Sequence, residues 1–213
     1  LPGFSYYDTQ NGFHIYKNDY ALPMGFTFDT YVSRSQWETY SESDRCNLLL
    51  RALVLEDDAV ETYQKDMQKL PDAVHQMSDE DLLAECTERA KTACDSFTYN
   101  SKGFHATIST DHENLVFFSV PWEEGWSAEV NGEPVAIEKA DIGFMAVPVA
   151  AGDSEITFTY HTPGLKAGAL LSLGGLVLFA GYLTVAGIYN KRHPNPKTES
   201  ICCVDYSTEE TAN

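Results

Sequence analysis

The feature that most constrains the fold of this chain is an uncharged apolar stretch near its C-terminal end, residues 167–189. It reads AGALLSLGGLVLFAGYLTVAGIY and is followed by Asn190, Lys191 and Arg192. At about 1.5 Å per helical residue, a segment of this length crosses a hydrocarbon core of about 30 Å. A buried helix of a soluble protein can also be apolar all round. Soluble helices rarely run so far without a charge, so we predict a transmembrane helix over residues 165–190.

The basic residues on the two sides of this stretch indicate its orientation. Lys191, Arg192 and Lys197 follow it, whereas Lys166 alone lies close before it. Because cytoplasmic flanks of membrane helices carry the excess of Lys and Arg, we predict a disordered cytoplasmic tail over residues 191–213. The large N-terminal region is then extracytoplasmic. The opposite orientation, a cytosolic protein anchored by its tail, stays open.

The charge of the chain argues against some classes of partner. It carries 32 acidic and 14 basic residues, a formal net charge of −18. Such a surface repels nucleic-acid backbones and anionic lipid, so we predict no nucleic-acid partner. The simplest reason for the acidity is solubility. Aromatic residues make up 12% of the chain, which indicates that the region before the membrane folds.

The five cysteines show no metal-binding or disulfide pattern. Cys46, Cys86 and Cys94 precede the apolar stretch, and Cys202 and Cys203 follow it. There is no CxxC and no His/Cys ligand spacing, so we predict neither a metal site nor a cofactor. One straight helix would hold Cys86 and Cys94 about 12 Å apart, too far for a disulfide. The role of the two cysteines in the tail stays open.

Hydrophobic periodicity divides the region before the membrane into three parts. Residues 1–56 predict a mixed start of short strands and helix, in which the S-x-x-E pattern from Ser35 to Glu38 predicts a capped helix. Residues 57–95 predict a mostly helical insertion. Residues 96–163 predict an antiparallel β-sandwich.

The sandwich prediction rests on an apolar period of two that starts at Phe97. Seven short segments predict strands: 97–100, 103–109, 114–120, 125–130, 134–138, 142–149 and 155–161. Asn131-Gly132 is the strongest hairpin signal, and the other turn or structural positions are Gly143, Pro163 and Gly164. The predicted fold class is therefore α+β: an antiparallel β-sandwich extracytoplasmic domain with a helical insertion, followed by one C-terminal transmembrane helix.

The densest cluster of candidate binding residues lies in SVPWEEGWSAEVNG, residues 119–132. Trp122 and Trp126 suit stacking on a sugar ring, and Glu123 and Glu124 suit hydrogen bonds to its hydroxyl groups. Adjacent residues of a strand point to opposite faces, so the two carboxylates share a ligand only if a turn holds them. The alternative is that both tryptophans pack the sandwich or meet the membrane interface.

No catalytic constellation is visible in the chain. The six histidines are scattered without ligand spacing, and GxSxG, HExxH, P-loop and GxGxxG patterns do not occur. Nothing brings together a nucleophile, a base and an orienting group, so we predict no catalytic residue in this chain.

Four runs of the sequence, with the apolar helix after them, resemble the C-terminal end of the YfhO-type bacterial membrane proteins. The runs are NGFHIYKNDYALPMGF (11–26), LVLED (53–57), FFSVPWEEGWSAEVNGEPV (117–135) and GFMAVPVAAGDSEITFTYHTPGLKAG (143–168). The chain departs from the family pattern at Trp122, where the family often has Tyr, and in its acidic, cysteine-containing tail.

The resemblance implies a function larger than this chain. YfhO-type proteins resemble multi-spanning glycosyltransferases that move a sugar from a polyprenyl-phosphate carrier to cell-envelope polymers such as teichoic acids. Their catalytic acids lie near N-terminal membrane helices, which this chain, beginning at Leu1 without a signal-peptide pattern, does not contain. We therefore expect a C-terminal fragment located in the bacterial plasma membrane. Its expected partners are the missing upstream membrane helices, a polyprenyl-phosphate-sugar and an envelope polymer.

A second hypothesis belongs to another class of protein. The chain would then be a non-catalytic, membrane-anchored sugar-binding or assembly module. The gene sequence upstream of Leu1 separates the two, because a series of hydrophobic segments there favours the transferase and a signal peptide favours the module.

Overall fold

The computed structural model of the protein describes residues 3–71 and 77–193. Most of the predicted cytoplasmic tail, with Cys202 and Cys203, lies outside the described residues. The described chain divides into one unit that ends at Pro163 and a second that begins at Gly164. The boundaries predicted within the first unit, at residues 56 and 95, stay predictions.

The first unit contains fourteen described strands and four described helices. The strands are β1 (Phe4–Gln10), β2 (Phe13–Asn18), β3 (Phe26–Thr27), β4 (Thr30–Ser33), β5 (Leu53–Leu55), β6 (Gln68–Lys69), β7 (Ser96–Asn100), β8 (Gly103–Thr110), β9 (Asn114–Pro121), β10 (Trp126–Val130), β11 (Glu133–Val135), β12 (Glu138–Ala140), β13 (Phe144–Val149) and β14 (Gly152–Tyr160). The helices are α1 (Arg34–Thr39), α2 (Glu42–Leu48), α3 (Asp57–Tyr63) and α4 (Asp79–Lys91).

The strands form three sheets, two of them large. A five-stranded antiparallel sheet has the order β11-β10-β14-β8-β7, and a seven-stranded sheet has the order β3-β9-β13-β12-β5-β4-β6. The seven-stranded sheet is antiparallel from β3 to β5, and β4 pairs in parallel with both β5 and β6. β1 and β2 form a separate two-stranded sheet. The predicted α+β class with mostly antiparallel pairing is confirmed.

The two large sheets share one apolar cluster, to which each contributes alternate residues of its strands. Phe104 and Phe158 come from the five-stranded sheet, and Val116, Phe118 and Met145 come from the seven-stranded sheet. Since successive strand residues point to opposite faces, the neighbouring residues of β9 and β13 face away from this cluster. The cluster fixes the two sheets against each other and positions the loops at their ends.

The opposite face of the seven-stranded sheet is also buried. Leu115, Phe117 and Ala146 join a second cluster that includes Ala59 of α3. A third cluster packs α1 and α2 against β4 and β5, and it includes Trp37. β9 and β13 are therefore covered on both faces, which explains why their sequences read as nearly continuous apolar runs.

Two sequence predictions need correction. The N-cap of α1 is Ser33, whose side chain accepts from the Gln36 amide, because β4 ends at Ser33. The Ser35 hydroxyl donates instead to Asp57. The predicted strand 134–138 divides into β11 and β12, which belong to different sheets. Within residues 57–95, which stay predicted as a mostly helical insertion, β6 pairs with β4.

The second unit contains α5 (Leu165–Arg192), a helix of 28 residues. By length and composition it can cross a membrane, and it is the one such helix among the described residues. None of its residues is buried within the structure. Gly164 precedes it with φ +76°, a conformation that glycine adopts without strain, and Lys191 and Arg192 lie in its last turn.

Candidate functional site

The candidate binding residues lie in the turn that joins β9 to β10, residues 122–125. The Trp122 amide donates to the Gly143 carbonyl at 2.8 Å, and the Trp126 amide donates to the Glu123 carbonyl at 3.2 Å. A Cβ atom at Gly125 would lie 2.6 Å from the His161 carbonyl oxygen, so only glycine fits this close approach. The turn is thus held at both ends by backbone hydrogen bonds.

Trp126 is mainly a packing residue. Its ring meets Phe104, Phe158 and Tyr160 at centroid distances of 5.7, 6.1 and 5.0 Å. These contacts place it at the end of the cluster between the two large sheets. Trp126 is half-buried, so its ring packs against the apolar cluster and also lines the surface of the turn.

Trp122 already holds a cation over its ring. The Lys139 ammonium nitrogen lies 3.8 Å from the centroid of the Trp122 ring. A lysine over an aromatic face is an attractive contact of about 0.5–1 kcal/mol at an exposed site. The face of Trp122 beneath Lys139 is consequently not available for stacking on a sugar.

Glu123 is held by a tyrosine. The Tyr160 hydroxyl donates to Glu123 Oε2 at 2.8 Å, and this hydrogen bond raises the pKa of Tyr160. The bond orients the carboxylate at the end of β14. Glu123 therefore keeps one oxygen for a further donor.

An apolar groove of about 700 Å³ lies beside this bond; we call it the aromatic groove. Phe97, Phe104 and Trp126 line it, and of these three Phe104 is buried. Tyr99, which is 82% exposed, lines its open side. Polar groups come from Glu123, from Asn100 at the end of β7, and from Ser101 and Lys102 in the turn between β7 and β8. The groove offers aromatic surface with a few hydrogen-bonding groups, as ligand sites commonly do.

A second, smaller hollow of about 360 Å³ contains all four predicted residues. Trp122, Glu123, Glu124 and Trp126 line it together. Glu123 and Glu124 share it because they lie in a turn, where the alternation of strand side chains does not apply. Glu123 and Trp126 line the aromatic groove as well.

Sequence reasoning did not find Tyr99, Lys102 or Tyr160, which complete the aromatic groove. The available signal was the segment SFTYNSKGF, in which a short polar turn separates two aromatic strand ends. That pattern predicts a hairpin whose turn carries side chains beside exposed rings. The contribution of Tyr160 depends on the pairing of β14 with β8 and β10, which is not local in sequence.

The predicted turn residues have distinct structural roles. Asn131 and Gly132 both have positive φ, +54° and +80°, in the two-residue turn between Val130 and Glu133. This is the predicted hairpin, and it is confirmed. Gly143 has no positive φ; its amide donates to Ala140, and Asp141 and Ile142 before it are left-handed instead.

No group of three or more His, Cys, Asp or Glu side chains in residues 3–71 and 77–193 is arranged to hold a metal ion. The turn and the groove offer aromatic rings, carboxylates and the Lys102 ammonium group to a ligand.

Comparison with known proteins identifies one family. The family described as bacterial membrane protein YfhO matches residues 72–172, which include the whole β9–β10 turn. The chain is also similar to the uncharacterized protein YfhO of Bacillus subtilis strain 168, with 30% identity over 121 residues. The similar segment covers 57% of this chain and 13% of the length of that relative. No solved structure matches.

Proposed function

Because this chain is a YfhO-type bacterial membrane protein, we propose that it supplies the extracytoplasmic domain and the last membrane helix of a longer, multi-pass protein. That protein resembles glycosyltransferases which move a sugar from a polyprenyl-phosphate carrier to a cell-envelope polymer. The two packed sheets are the extracytoplasmic sandwich, and α5 crosses the plasma membrane. The catalytic residues belong to the part of the protein outside these 213 residues.

In the longer protein this domain holds the acceptor polymer, and the aromatic groove is the surface that contacts it. Its volume of about 700 Å³ lies within the range of small-molecule sites and is large enough for a sugar unit of the polymer. The C–H face of a sugar or polyol packs on an exposed ring such as Tyr99, while Glu123 accepts hydrogen bonds from its hydroxyl groups. Lys102 supplies a cation to the lining, which suits a polymer with phosphate groups.

Charge supports a weak, transient contact. The chain is strongly acidic, with a net charge of −18, and so repels an anionic polymer over most of its surface. Attraction is therefore confined to the aromatic groove, where Lys102 lies beside apolar surface. A domain of this kind guides a polymer past the catalytic region without binding it tightly.

The proposal is tested by glycosylation of the envelope polymer in cells that produce the complete protein. Tyr99→Ala removes an 82% exposed ring and leaves the buried clusters intact, so we expect the protein to fold and transfer to fall several-fold. Tyr99→Phe keeps the ring and is the matched control, with transfer near the wild-type level. Unchanged transfer in Tyr99→Ala would remove the acceptor role of the groove.

The alternative module without catalytic partners has a separate test. The gene sequence upstream of Leu1 distinguishes the two proposals. A series of hydrophobic segments encoded there would support the multi-pass protein. A signal peptide directly before this region would instead favour a stand-alone, membrane-anchored module.

A further inference from the structure

The β1–β2 hairpin is a separate sheet whose large apolar side chains are exposed. It belongs to neither of the two large sheets. Its six large apolar side chains are all exposed, by 37–76%: Phe4, Tyr6, Tyr7, Phe13, Ile15 and Tyr16. A two-stranded sheet is marginally stable in water unless a third strand or another layer covers it. The exposed rings on both faces indicate a surface that another element covers.

The outer edge of β1 is blocked against strand pairing. The register between the strands shifts between Tyr6 and Asp8, which leaves Tyr7 as a bulge. The Thr9 amide donates to the Asp8 carboxylate at 2.7 Å and is therefore already occupied. Bulges and charged side chains on the edge are devices that keep an edge strand from accepting another chain.

The outer edge of β2 has no bulge, and Lys17 is the one Lys, Arg, Asp or Glu residue in this strand. Its register runs without a shift from Phe13 to Ile15 and on through Tyr16 to Asn18. Gln10 and Phe13 flank a two-residue turn and form a hydrogen-bonded pair, so alternation directs the amides of His14 and Tyr16 outward. No described strand lies along this edge.

The local charge of β2 differs from that of the chain as a whole. Residues 9–18 contain Lys17 and His14 but no Asp or Glu, whereas the chain carries a net charge of −18. A strand that lies along β2 meets no carboxylate from this segment and has a cation at Lys17. The edge therefore suits an apolar strand that carries an acidic residue.

We propose that the outer edge of β2 is a docking site for a β-strand from the remainder of the longer YfhO-type protein. The inference rests on the proposed function, since its occupant is polypeptide outside these 213 residues. The matched segment covers 13% of the Bacillus subtilis relative, so most of such a protein is available to supply the strand. A second copy of the chain is disfavoured by the repulsion between two strongly acidic surfaces.

The test compares amide hydrogen exchange in the complete protein and in the 213-residue chain, both in detergent micelles. We expect the outward amides of His14 and Tyr16 to exchange at least roughly tenfold more slowly in the complete protein. Amides of β8 and β9 report the folded core and should be equally protected in both samples.

A matched pair of variants in the complete protein tests the edge itself. Thr9 and His14 are cross-strand neighbours, and a proline at either position removes one outward amide while sparing the pairs of the hairpin. We expect His14→Pro to remove the protection of the neighbouring β2 amides and Thr9→Pro to preserve it. Both variants lose the side-chain hydrogen bond between Thr9 and His14. A difference in amide protection between them therefore does not come from that bond.

Equal exchange in the complete protein and in the 213-residue chain would overturn the inference and leave the proposed acceptor role standing. Protection that appears in the isolated chain and increases with its concentration would overturn it in favour of a second copy. Loss of polymer glycosylation in Tyr99→Ala is a separate readout, so failure of the proposed function is recognised independently.

Discussion

At the scale of single residues, Asp141 is the most unusual group in the first unit. Its side chain is buried and accepts a hydrogen bond from the Val54 amide at 2.9 Å, and its own amide donates to the Val54 carbonyl. Burial raises the pKa of Asp141 to about 7, against the weaker opposing effect of the Val54 hydrogen bond. The carboxyl group ties the β12–β13 turn to β5, where the ladder between β12 and β5 has one pair.

We expect the stability of the first unit to fall as the pH rises from about 4 to above 7. The pKa of Asp141 is higher in the folded protein than in the unfolded chain, so its contribution is complete below the unfolded pKa and is lost as the pH passes the folded value. The loss is on the order of 4 kcal/mol at most. Denaturant unfolding followed by tryptophan fluorescence measures it.

Asp141→Asn is expected to flatten this pH dependence, because the amide cannot ionise and asparagine tolerates the positive φ of 45°. Asp153→Asn, at an exposed position of β14, is the control and should keep the wild-type profile. An Asp141→Asn profile parallel to that of the wild type would assign the pH dependence to other groups.

Gly25 provides a second test at the same scale. It has φ +82°, and a Cβ atom there would lie 2.4 Å from the Cys94 sulfur and 2.7 Å from the Phe118 ring. Gly12 has the same φ, but a Cβ atom there would meet nothing within 4 Å. We therefore expect Gly25→Ala to lower the free energy of unfolding by about 2–4 kcal/mol and Gly12→Ala by about 1 kcal/mol. Equal losses of unfolding free energy in the two variants would show that the strain of a positive φ, and not the contacts of the added Cβ atom, determines both values.

At the scale of elements, local patterns predicted the strands better than their partners. Period-two alternation and the Asn131-Gly132 turn give β10 and β11, because both signals are local. β6 was missed because two residues, Gln68 and Lys69, carry no periodicity and pair only through a parallel neighbour. Segment 134–138 was predicted as one strand for a similar reason, because the sheet that a strand joins depends on residues that are distant in sequence.

The aromatic groove was predicted in part for similar reasons. Trp126 and Glu123 stood out because they lie in one dense motif, and both line the groove. Tyr99 and Tyr160 come from β7 and β14, which are neighbours of the motif only in the folded sheet. A site that several strand ends build is visible in sequence only where one segment supplies most of it.

The apolar helix α5 gives an element-scale prediction. Leu178 lies near the middle of α5 and Leu165 begins it. An arginine at the centre of a membrane helix costs about 2.5–3.5 kcal/mol on insertion scales, and one at the end reaches the interface. We expect Leu178→Arg to reduce the fraction of protein that resists alkaline extraction from membranes, and Leu165→Arg to leave it unchanged. Equal extraction of the two variants would contradict a membrane-spanning α5.

At the scale of the whole molecule, cysteine labelling tests the predicted orientation. Cys46 is exposed, whereas burial raises the pKa of Cys94 to about 12 and makes that thiol unreactive. If the first unit is extracytoplasmic, a membrane-impermeant maleimide should label Cys46 in intact cells. Cys46→Ser is the control and should remove most of that label. Labelling of Cys46 only after lysis would reverse the orientation.

The burial of β9 on both faces has a consequence for the chain before it folds. Residues 115–120, LVFFSV, contain no charge and no proline. In the folded protein the first four of them are buried in β9, whereas Ser119 is exposed and Val120 is half-buried. In an unfolded chain this uncharged segment is a strong nucleus for intermolecular aggregation. Conditions or truncations that delay the pairing of β9 with β13 should therefore lower the yield of soluble protein more than its equilibrium stability suggests.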